Sequence, residues 1–122
     1  MTQATLYGIK NCDTVKRARA WLEAHGIDYA FHDYKKDGVP LAHVRRWAGE
    51  NGWEALLNRQ GPTWRKLDEA VKASVVDAES AMAVMKEHSS VIRRPVVEWA
   101  ADGSPLTVGF KEDQFEQAAG AR

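Results

Sequence analysis

The 122-residue sequence is poor in the residues that most often announce a site: one cysteine, four histidines and no net charge, 17 Lys and Arg balancing 17 Asp and Glu. Each scarcity excludes something. A single thiol cannot close an internal disulfide, nor supply the several thiolates of a structural zinc site. Zero net charge leaves no global field to hold polyphosphate or nucleic acid, so any anion must be held by local groups. The histidines, His25, His32, His43 and His88, lack metal-ligand spacing, and no glycine-rich phosphate loop is present. No bound cofactor or metal is therefore expected. No apolar run approaches the roughly 18 residues of a membrane span, and residues 1–5 carry no basic leader. The expectation is a cytoplasmic protein, with no membrane or nucleic-acid partner, whose lone Cys12 stays reduced and available for chemistry.

What is present reads as one α/β domain over residues 1–122. Residues 5–9 are apolar and partly β-branched, a strand. After the Lys10-Asn11 loop, Asp13 or Thr14 can cap a helix with Val15, Ala18 and Leu22 on one face, stopped by His25-Gly26. Residues 29–34 read as a second strand, ended by residues 35–38, and strand–helix–strand in so short a span implies parallel pairing. A helical block follows: a helix opened by Pro40, an amphipathic turn at 53–58, a break at 60–63, and helical stretches around 67–74 and 79–88. Trp47, Trp53 and Trp64 are expected to pack it. Strands at 96–99 and 106–110 flank a turn at 102–105 as an antiparallel hairpin, and a last helix covers 112–119. The order βαβ, helices, ββα is that of a thioredoxin-like fold. Its core falls at about 4–35 and 90–119, with a helical insertion at about 40–88.

Cys12 lies between a strand end and a helix start. A thiolate there faces unpaired amides and the positive end of the helix dipole, with Lys10 and Lys16 nearby, which predicts a depressed pKa. A buried, inert cysteine is the competing reading, and position favours the reactive one. Val15 occupies the place of the second thiol in a Cys-x-x-Cys motif. A resolving thiol must therefore come from outside, from glutathione or a glutaredoxin. Arg65 follows Gly61-Pro62-Thr63-Trp64, and Arg93-Arg94 precedes Pro95 at a strand start. Arginine forks suit carboxylates and oxyanions, while solvated surface charge is the alternative for each. Pro95 is open to either peptide isomer.

Four segments, residues 6–14, 52–58, 63–68 and 92–95, resemble in order and spacing the ArsC/Spx family, most closely its YffB-like branch. The resemblance implies a thioredoxin-like fold with a helical insertion. In the family's arsenate reductases a cysteine attacks arsenate and arginines hold the oxyanion; these roles carry over to Cys12, Arg65 and Arg94. Gly8 stands where those enzymes have a histidine and Val15 where they have a serine. Their third arginine has no counterpart around 106–110. The expected site is Cys12 as nucleophile with Lys10, Asn11, Arg65, Arg94 and Pro95 binding substrate. The expected activity is glutathione-dependent thiol–disulfide exchange on a mixed disulfide or small molecule. Arsenate reduction is the enzymatic alternative. Spx-like transcriptional regulation through RNA polymerase is the other, although Val15 removes the Cys-x-x-Cys switch common in such regulators.

Overall fold

The computed structural model describes residues 4–121. Along the chain run β1 (Ala4–Gly8), α1 (Asp13–Ala24), β2 (Tyr29–Asp33), α2 (Tyr34–Asp37), α3 (Leu41–Asn51), α4 (Trp53–Leu56), α5 (Pro62–Arg65), α6 (Glu69–Ala73), α7 (Ala78–Glu87), β3 (Val96–Glu98), β4 (Leu106–Val108) and α8 (Glu112–Ala121). They fall into two compact units. Residues through Asp37 join those from Arg94 onward, and Gly38–Arg93 forms the other.

The first unit holds a four-stranded sheet of order β2-β1-β3-β4. β1 and β2 are parallel, while β3 is antiparallel to both β1 and β4, as the predicted strand–helix–strand unit and hairpin require. With its helices this is a thioredoxin-like α/β fold. Side chains alternate across a strand. Ala4, Leu6 and Val97 accordingly join Val15, Ala18, Trp21 and Leu22 of α1 and Phe115 and Ala118 of α8 in one core. Tyr7, Val96 and Glu98 take the other face, with Tyr7 opposite both Val96 and His32 in the register. Trp99 meets Phe115 edge-to-face at 4.9 Å, and its indole Nε1–H donates to Thr107 Oγ1 at 2.9 Å, so the polar end of this buried ring is satisfied.

The second unit is helical. Val44 and Trp47 of α3, Leu56 of α4 and Ala81, Met82, Val84 and Met85 of α7 are buried. Leu57 and Ile92 form an antiparallel bridge, reinforced where Asn58 N–H donates to the Val91 carbonyl. Asp77 and Ser80 close a reciprocal capping box at the start of α7. Trp47 is fully buried, whereas Trp53 and Trp64 are half-buried and flank the Arg59 guanidinium at 5.4 and 5.9 Å.

The structure changes several sequence-derived boundaries. The α1 cap is Cys12, rather than Asp13 or Thr14. Tyr34 leaves the strand and starts α2, because Asp33 Oδ1 accepts from Lys35 N–H and Asp37 Oδ2 from Asp33 N–H, a local alternative to the strand ladder. The expected break at 60–63 is partly helical: Pro62 sits at the first turn of α5, where its fixed φ is already suitable. β4 stops at Val108, since Gly109 has φ +85° and turns the chain. Among the described residues no helix is long and apolar enough to cross a membrane, and no cluster of three His, Cys, Asp or Glu could hold a metal ion.

Candidate active site

Cys12 takes extended backbone angles (φ −140°, ψ 121°) as the cap of α1, and its carbonyl accepts the first helical hydrogen bond from Lys16 N–H at 2.9 Å. A capping serine would turn its oxygen onto the free amides of the first turn; the Cys12 side chain makes no such capping hydrogen bond. The thiol is half-buried against the core beneath α1.

Two opposing effects set its acidity. Burial pushes the Cys12 thiol up, being the largest single influence. The Val15 N–H, the Arg94 guanidinium through both hydrogen bond and charge, and the Thr14 N–H all favour the thiolate, and together they bring the thiol below its ordinary range. Between the folded and unfolded pKa values the unfolded chain holds the extra proton. Stability therefore rises with pH across that window, reaches its full value above the unfolded pKa of about 8.5, and is lost as pH falls through the folded one. Under reductant, the urea midpoint of the wild type should gain on that of Cys12→Ser as pH rises toward about 9. Parallel profiles would mean that folding leaves the thiol unperturbed.

The predicted site residues divide by location. Cys12 and Arg94 come together. Pro95 follows Arg94 through a cis peptide bond, and its carbonyl accepts from Gly109 N–H at 2.8 Å. That carbonyl is thus already tied into the sheet and meets a ligand only through its second lone pair. The cation acting on the thiol is Arg94, while Lys10, Asn11 and Lys16 lie exposed. Arg65 is the exposed last residue of α5 in the helical unit.

Sequence reading passed over the polar residues behind Arg94. Tyr7 and Glu98 are buried, at 4% and 5% exposure, and the Tyr7 hydroxyl donates to Glu98 Oε1 at 2.8 Å. Tyr34 is equally buried. Burial first, then the neighbouring Tyr7 and Glu98, push its phenol far above the usual range against the opposing pull of Arg94, so it remains a neutral hydroxyl. The available signal was a glutamate inside the apolar run Val96-Val97-Glu98-Trp99, two residues from Val96 and four from Arg94.

A thiol capping a helix in a thioredoxin-like sheet, with an arginine from the start of β3 beside it, narrows the comparison. The ArsC family pattern matches residues 7–118. The chain belongs to the ArsC family. It is 50% identical to the YffB protein, whose solved structure superposes with a TM-score of 0.86 over 94% of this chain and 97% of that one. An arsenate reductase (ArsC) related protein from Brucella melitensis is 53% identical, with a TM-score of 0.71 over 96% and 93% of the two chains. The global transcriptional regulator Spx of Bacillus subtilis is 24% identical over 93% of this chain and 84% of that protein.

Two of the departures from the arsenate-reductase pattern, Gly8 and Val15, are one packing unit. A Cβ built on Gly8 would lie 2.8 Å from Val15 Cγ2, closer than real side chains approach. Val15 is fully buried and β-branched in a helix, which leaves it little rotamer freedom to yield. Gly8→Ala should therefore cost about 1–3 kcal/mol in urea unfolding, and adding Val15→Ala should recover part of the loss rather than add to it. Strictly additive costs would refute this packing account.

Proposed function

We propose that the protein is a thiol–disulfide oxidoreductase that uses Cys12 as its only nucleophile and glutathione as the second thiol. The observation that carries this reading is the meeting of the Arg94 guanidinium and the Val15 and Thr14 amides on the single thiol of the chain. An anion-favouring pocket of that kind suits a thiolate that attacks, and it steadies negative charge on sulfur as bonds exchange.

The reaction balances with glutathione as reductant. The Cys12 thiolate attacks the glutathione sulfur of a mixed disulfide; a sulfur–sulfur bond forms to Cys12 as the old one breaks, and the substrate leaves as a thiolate that takes a proton. A glutathione thiolate then attacks the glutathione sulfur of that adduct, forming oxidised glutathione and returning Cys12 as thiolate. Val15 in the second-thiol position makes closure onto an internal cysteine impossible. Arg94 would steady the thiolate in both steps, and Lys10 and Asn11 offer groups for glutathione carboxylates and amides.

The test is turnover of a glutathionylated peptide with glutathione, coupled to glutathione reductase and followed by NADPH loss. Turnover by the wild type and none by Cys12→Ser is expected. No wild-type turnover would overturn the proposal. In that event, glutathione-dependent turnover of arsenate would assign the oxyanion reaction to Cys12. Retention of RNA polymerase α subunit without any turnover would assign a regulatory role.

A further inference from the structure

The sheet face that carries Glu98 also carries the residues around Arg94. Alternation along β3 puts Val96 and Glu98 on one face, and the register sets Tyr7 opposite Val96 and His32 opposite Tyr7. His32 packs against both tyrosines, its ring centroid 5.1 Å from Tyr7 and 6.0 Å from Tyr34. Glu98 is anchored by the Tyr7 hydroxyl at 2.8 Å. The Tyr34 hydroxyl is buried without a hydrogen-bond partner among the described residues, and it lies within electrostatic reach of Tyr7, Glu98 and Arg94. Arg94 in turn reaches the Cys12 sulfur. A buried carboxylate and two buried phenols thus form one polar cluster, and the half-buried Arg94 guanidinium is within electrostatic reach of both Tyr34 in that cluster and the thiol.

A buried carboxylate is expensive unless it is hydrogen-bonded and electrically offset. Its retention inside an otherwise apolar strand asks for a cause. Arg94 is the cation within reach of the same phenol as Glu98, and Cys12 is the second anion that Arg94 serves. Glu98 and Cys12 are thus both linked to one positive charge, Glu98 through Tyr34 and Cys12 directly. The groups facing Glu98 on this side of the unit are Tyr7 from β1, His32 from β2, Tyr34 from α2 and Arg94 before β3.

We propose that Glu98 is a positioning residue for the thiol site: anchored by Tyr7, its carboxylate holds and partly offsets Arg94, and so sets how strongly Arg94 favours the Cys12 thiolate. The proposal rests on the thiol–arginine pair used above. It makes the sulfur's acidity a property of β3 as well as of the helix start. Tyr34, held neutral, supplies a hydroxyl dipole within reach of both charges without adding one of its own.

The test uses the intact chain, whose one cysteine gives an unambiguous thiolate absorbance near 240 nm as pH is varied. Glu98→Gln keeps the shape and an acceptor for Tyr7 while removing the charge. With Arg94 present it should move the thiol pKa down by about half a pH unit, because more of the arginine's field reaches sulfur. In an Arg94→Gln background the same change should move it by less than half as much, and Glu98→Asp should restore much of the wild-type value. No change in Glu98→Gln, or equal changes in both backgrounds, would overturn the role of Glu98 while leaving the pair intact. An Arg94→Gln protein with an unmoved thiol pKa would overturn the pair itself and this proposal with it. A measurement on the unmutated chain guards against misfolding of the variants. The Glu98 carboxyl carbon resonance should show an inflection at the thiol's pKa that disappears once Cys12 is alkylated, and absence of that inflection would also overturn the proposal.

Discussion

Replacing Cys12 by serine is expected to lower thiol–disulfide turnover by at least about a thousandfold while leaving the fold in place. Serine keeps the shape and can cap α1 through its oxygen, so the helix start loses nothing by the change. What it cannot do is ionise: the amides of Val15 and Thr14 and the Arg94 guanidinium lower the acidity threshold of a thiol, and a hydroxyl starts several powers of ten further away. The measurement is the glutathione-coupled assay beside a urea melt near neutral pH. Loss of turnover with a nearly unchanged melt is the expected pair of results. Residual activity within tenfold of wild type would mean that the chemistry lies elsewhere.

The largest loss of stability is expected at Phe115. Its ring is fully buried and meets three others edge-on, Trp99 at 4.9 Å, Phe110 at 4.8 Å and Trp21 at 5.4 Å. With Ala118 it is how α8 joins the core built from β1, β3 and α1. Phe115→Ala removes a whole ring from a packed cluster and leaves a void that large rigid neighbours cannot collapse to fill. The cost should be about 3–5 kcal/mol, a large share of the stability of a domain this size. Urea unfolding followed by tryptophan fluorescence reports on it directly, since Trp21 and Trp99 line the same void. A loss below about 1 kcal/mol would mean that α8 contributes little to the core.

The fold was legible where the pattern is local and strong. The apolar, partly β-branched run before Lys10, the helix face of Val15, Ala18 and Leu22, and the turn around Gly103 each predict an element that the structure contains. Less legible were places where side chains override propensity. Tyr34 has strand character, yet Asp33 and Asp37 fold the backbone into a helical turn beneath it. Trp21 was missing from the predicted face of α1 because its burial depends on Trp99 and Phe115, which arrive from the far end of the chain.

The same division runs through the site. Cys12 stands out by its strand-to-helix position, whereas only the family resemblance singles out Arg94 from Arg93. The Gly8–Val15 contact and the Glu98–Tyr7 bond join residues whose partners are fixed only by tertiary packing and strand register. A glutamate after two valines looks like an ordinary solvent-facing strand position until β1 is laid beside it. Register, rather than composition, brings it within reach of the Tyr7 hydroxyl.

The central claim is that this fold turns an ordinary thiol into a thiolate-favouring one, and the chain supplies its own reference because it holds a single cysteine. The direct measurement is the pH dependence of Cys12 alkylation by iodoacetamide, once on the folded protein and once on the same protein unfolded in urea. The folded protein should show its inflection clearly below that of the unfolded chain, which should fall near 8.5. Coincident inflections, or a folded value above the unfolded one, would contradict the account.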